Sequence, residues 1–150
     1  MPDFLDYSME NRTYRYFRGE PLYAFGYGLS YTTFEYGKAK ISKPSMKANG
    51  KVTVTIPVTN TGKRAGDEIV QVYVKALDYA EAPIKSLRGF ARISLAPGET
   101  GKAVIELDGE AFEYYDPSID ELSTRSGRYQ ILYGGSSLDK DLGRIDFTVK

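Results

Sequence analysis

The chain has 150 residues, twenty Lys and Arg against twenty Asp and Glu, and no Cys, His or Trp. A chain of this length makes one domain, able to bury roughly 68–70% of its unfolded surface. The missing residues remove disulfides, thiolate chemistry, the commonest general base and the commonest metal ligand, while scattered basic positions at zero net charge exclude a basic nucleic-acid or membrane patch.

Residues 1–35 come first and show neither a helical nor a strand period. Between Tyr14 and Tyr36, in YRYFRGEPLYAFGYGLSYTTFEY, nine aromatics are separated by glycines. Five such rings exposed together would present roughly 750–1,250 Å², more than the roughly 300–600 Å² of a monomer's largest apolar patch. Two readings follow: a strap that packs on a surface, bent at its glycines, or an aromatic face that stacks on sugar rings.

From about Tyr36 the pattern becomes that of short strands. A strand is expected around Tyr36–Ser42. In KVTVTIPVTN, Val52, Val54, Ile56 and Val58 share one face and Thr53, Thr55 and Thr59 the other, with Pro57 marking an edge or a bulge. DEIVQVYVKA places Val70, Val72 and Val74 opposite Ile69, Gln71, Tyr73 and Lys75, a central strand covered on both sides. Leu87, Gly89, Ala91, Ile93 and Leu95 then alternate with Arg88, Phe90 and Arg92, and the turn Ala96-Pro97-Gly98-Glu99 leads back through Lys102–Leu107. Runs at Phe112–Tyr115, Arg128–Tyr133 and Arg144–Val149 bring the total to seven or eight. The expected fold is all-β: an immunoglobulin-like sandwich of the fibronectin type III kind with Greek-key connections, spanning residues 36–150 behind the aromatic arm.

Chemistry is sparse. Glu68, within a strand, and Glu113 and Asp116, in FEYYD, are the acids to weigh, with Asp116 before Pro117 suited to holding a turn. Gly26-Tyr27-Gly28 lacks the Lys-Ser/Thr of a phosphate loop. Asp139 and Asp141 have calcium-loop spacing, but Gly143 and Lys150 fall where the next ligands belong. Asn11-Arg12-Thr13 fits the N-glycosylation pattern. No catalytic residue, cofactor or metal is expected. No run reaches the roughly 20 apolar residues of a membrane span, and MPDFLDYSMENRTY lacks the features of a signal peptide.

Five stretches in order carry a family resemblance: the aromatic run, VTNTGKRAGDEIVQVYV, LRGFARISLAPGET, AFEYYD and GRYQILYGGSS. Together they resemble the C-terminal fibronectin type III-like domain of glycoside hydrolase family 3, the β-glucosidases and β-xylosidases. The resemblance implies a non-catalytic domain, because the aspartate nucleophile and the acid/base glutamate of that family lie in a barrel and an α/β domain that this sequence does not contain. It implies that the partners are the catalytic domains of the same parent chain, with a polysaccharide or a second copy as other partners, in a periplasmic or secreted setting more than a cytoplasmic one. It also implies that Tyr14, Tyr16, Phe17, Tyr23, Phe25, Tyr27 and Tyr31 pack between domains.

Overall fold

The alternating runs form strands in a computed structural model that describes residue 5 and residues 8–150. In chain order the strands are β1 (Phe34–Tyr36), β2 (Lys40–Ile41), β3 (Ser45–Met46), β4 (Lys51–Asn60), β5 (Gly66–Ala76), β6 (Ser86–Leu95), β7 (Thr100–Asp108), β8 (Tyr114–Asp116), β9 (Glu121–Ser123), β10 (Gly127–Gly134) and β11 (Gly143–Val149). One sheet sets β4 between β7 and an edge made of β1 and β2; the other has the order β3-β11-β10-β5-β6, and β8 pairs with β9 alone. The chain passes between sheets at β2 to β3, β3 to β4, β4 to β5, β6 to β7 and β7 to β10, which leaves β5 beside β10 and gives the Greek-key order of a sandwich.

Valine and isoleucine at every second residue close the core. Val52, Val54, Ile56 and Val58 of β4 are all at most 1% exposed and face Val70, Val72 and Val74 of β5, with Tyr129 and Ile131 of β10 and Phe147 and Val149 of β11 completing the layer. Phe112 wedges in at one end, its ring edge-on to Tyr129 at 5.4 Å and stacked on Phe147 at 5.1 Å.

Three expected strands differ in detail, each for a local reason. The run at 36–42 is divided into β1 and β2 opposite Pro57, whose carbonyl accepts the Gly37 N–H at 2.9 Å. The missing proline N–H lies on that same side, so no ladder bond is available where the edge is interrupted. Phe112 belongs to a 3₁₀ turn, Gly109–Phe112, which Asp108 caps by accepting the Ala111 N–H, and the strand starts only at Tyr114. In β6 the register to β5 shifts between Val72↔Gly89 and Tyr73↔Leu87, leaving Arg88 as an extra residue. That bulge turns Leu87 away from the core face that Ala91 and Ile93 share.

Candidate functional site

The outer face of the five-stranded sheet carries a second apolar cluster. Tyr73 of β5, Leu132 of β10 and Leu142 are buried there, with Tyr14 and Leu87 packed against them. This is why β5 reads as covered on both sides: Gln71 and Tyr73 point away from the core and are nonetheless buried, at 5% and 0% exposed. What covers them is the aromatic arm.

The arm is tied down by polar contacts that its irregular backbone leaves available. The Tyr14 hydroxyl accepts the Leu87 N–H at 2.9 Å, and the Tyr14 ring lies edge-on to Tyr73. The Arg15 carbonyl accepts the Ile84 N–H at 2.7 Å and the Phe25 carbonyl the Ser137 N–H at 2.8 Å. Gln71 Nε2 donates to the carbonyls of Gly26 (3.2 Å) and Gly135 (2.6 Å). Gly26 has φ +77°, and a Cβ there would stand 2.1 Å from Gln71 Oε1, so only glycine permits this approach.

The seven aromatics expected to pack between domains divide into two sets. Tyr14 and Tyr16 are half-buried, while Phe17, Tyr23, Phe25, Tyr27 and Tyr31 are exposed, Tyr31 at 91%. Tyr14 and Phe25 stack at 4.1 Å with planes 11° apart, and Tyr23 leans on Tyr27 at 5.4 Å. Between the arm and the loop at 137–140 lies an open concavity of about 950 Å³, with Phe17, Tyr23 and Phe25 on the arm side and Lys85 and Asp139 opposite. Lys85 Nζ meets Asp139 Oδ1 at 2.6 Å; the lysine side chain is buried and the carboxylate open to solvent.

Of the acids singled out by the sequence, Glu68 and Asp116 are held by side-chain hydrogen bonds. Glu68 Oε1 accepts the Tyr36 hydroxyl at 2.5 Å. Partial burial holds the Glu68 carboxyl above its ordinary range against the pull of that hydrogen bond, and burial and the same carboxylate push the Tyr36 phenol up. Asp116 Oδ1 accepts from the Ser118 hydroxyl (2.6 Å) and N–H (2.9 Å), the turn-holding arrangement its place before Pro117 suggests. Those bonds, aided by Arg125, whose Nη1 is 3.3 Å from Oδ2, lower its pKa. Glu113 contributes its carbonyl as the acceptor of Arg88 Nη2. Asp139 and Asp141 lie in a 3₁₀ turn, Asp139–Asp141, and no acidic cluster fit for a metal occurs among the described residues. Asn11 Oδ1 accepts the Arg18 N–H at 3.2 Å.

Two buried polar residues hold the domain together. Asn60, fully buried at the end of β4, donates from Nδ2 to the carbonyls of Arg64 (2.7 Å) and Leu95 (3.0 Å), and its Oδ1 accepts from Thr32 and Gly62. It ties the arm, the turn after β4 and the end of β6 together. Gln71 does the same for the arm and the loop after β10; a polar side chain on the outer face of a central strand is the one clue to it.

Two sheets packed in this Greek-key order make a fibronectin type III-like sandwich, its β1–β2 edge interrupted opposite Pro57 of β4. The profile of that family (Fn3-like, fibronectin type III-like domain) matches residues 68–137. The chain is 48% identical over 149 residues, 99% of its length, to a xylan 1,4-beta-xylosidase of Xylanibacter ruminicola. It is 43% identical over 144 residues, 91% of its length, to the thermostable beta-glucosidase B of Acetivibrio thermocellus. Among solved structures, a β-glucosidase from Erythrobacter marinus superposes with a TM-score of 0.79 at 37% identity over 87% of this chain and 17% of its own. DesR, a β-glucosidase from Streptomyces venezuelae, does so at 0.79 and 34% over 91% of this chain and 18% of its own. The chain belongs with the fibronectin type III-like domains of family 3 β-glucosidases and β-xylosidases, and it spans only 17% and 19% of the two relatives named.

Proposed function

We propose that this chain is a non-catalytic accessory domain of a longer family 3 β-glycosidase acting on β-linked xylosides or glucosides, and that its arm docks it on the catalytic domains. The observation that carries the proposal is an imbalance in burial. The sandwich closes its own core, and Tyr14 closes its outer face, yet Leu22, Leu29 and Tyr31 of the arm are 92%, 90% and 91% exposed. A free monomer gains nothing by displaying them, whereas an interface of about 600–1,500 Å² with the remainder of a much longer chain would cover them. The lengths of the relatives support the presence of such a remainder.

Glu68 and Asp116 are engaged with the Tyr36 and Ser118 hydroxyls, and Asp139, on the wall of the concavity, is held in an ion pair with Lys85. The pure chain should therefore leave 4-nitrophenyl β-xyloside and β-glucoside unhydrolysed. Turnover lost on a single acid-to-amide substitution within the chain would contradict the non-catalytic reading.

A further inference from the structure

We propose that the concavity between the arm and the 137–140 loop is a binding site for a neutral β-linked oligosaccharide. The reading rests on the proposed place of the chain in a β-glycosidase for the kind of sugar, and on the groove itself for the site. Three observations meet there.

The first is ring area. Phe25 has one face stacked on Tyr14 and is still 44% exposed, Tyr23 is 69% exposed beside Tyr27, and Phe17 is 38% exposed. Each offers flat apolar surface to the C–H face of a pyranose. The second is the opposite wall, where the Asp139 carboxylate, anchored by the buried Lys85 ammonium, stays open to solvent as an acceptor. A carboxylate has lone pairs on both oxygens, so sugar hydroxyls can donate to Asp139 without breaking its bond to Lys85. The third is size: about 950 Å³ lies at the upper end of the roughly 300–1,000 Å³ of small-molecule pockets, and the groove is open, as an oligomer with free ends needs.

The lining also decides against an apolar protein segment as the occupant. Arg15, Glu20, Lys85 and Asp139 border the rings, and an apolar segment would strip their water without replacing its hydrogen bonds. A polyol with one apolar face satisfies both halves of the groove. Leu22, Leu29 and Tyr31, at the centre of the surface proposed for docking, do not line the groove, so substitutions at them and substitutions at Phe17 and Tyr23 tell the two proposals apart.

The test is titration of the ¹⁵N-labelled chain with xylohexaose and with cellohexaose, followed by NMR and calorimetry. Saturable binding in the micromolar to millimolar range is expected, with shifts confined to the amides of residues 12–25, 84–85 and 137–140. Tyr23→Ala and Phe17→Ala should each weaken it about tenfold, and Tyr115→Ala on the remote β8–β9 hairpin should not. No saturable binding of either hexasaccharide overturns the proposal, as does binding whose shifts lie outside the groove or that the two groove variants leave unchanged.

Discussion

Gly26 illustrates how one residue sets the position of the whole arm. Its left-handed φ of +77° and the Gln71 amide just beyond its Hα leave no room for a Cβ. Gly26→Ala should cost about 1–3 kcal/mol in a urea titration, while Gly28→Ala, with nothing within 4 Å of its Cβ position, should cost a few tenths at most. Equal midpoints for the two variants would mean that the arm does not sit on Gln71. Asp116 makes a prediction about pH. Its folded pKa is lowered, first by the Ser118 hydroxyl, so its stabilising effect is present above the ordinary carboxylate range and is lost as pH falls through the folded value. The gap in melting temperature between wild type and Asp116→Asn should shrink as pH is taken from about 5 toward about 2; a gap constant with pH would contradict the assignment. Glu68 works in the opposite direction, since burial raises its pKa and protonation relieves it.

At the scale of elements, the long strands were legible because each has a buried face that demands period two, as in Val52–Val58 and Ile145–Val149. What escaped the pattern was decided by backbone hydrogen bonding. The 3₁₀ turn that takes Phe112 into the core, the bulge at Arg88 and the interruption opposite Pro57 are each settled by where an N–H finds its acceptor. The arm was legible as a strap from its glycines and rings, but which rings face inward depends on Tyr73 and Leu132, remote in sequence and adjacent only once β5 and β10 pair. Because the arm covers the outer cluster and its described residues up to Tyr31 contribute nothing to the main core, deletion of residues 1–31 should leave a cooperatively folding sandwich that is less stable by roughly 2–4 kcal/mol. Loss of cooperative thermal unfolding in that variant would place the arm in the folding core instead.

The molecule as a whole divides its labour between a sandwich that is self-sufficient and an arm with one face turned inward to Tyr73 and another turned outward with Leu22, Leu29 and Tyr31. The outward face should then matter only where there is something for it to meet. The most direct test replaces the matching 149 residues of the Xylanibacter ruminicola xylosidase with this chain and compares Leu22→Ser/Leu29→Ser/Tyr31→Ser in the chimera and in the chain alone. The isolated chain should show a melting temperature unchanged or slightly raised, and the chimera a fall of several degrees with faster thermal inactivation. Equal responses in the two settings, or a chimera indifferent to the three substitutions, would contradict this division of labour.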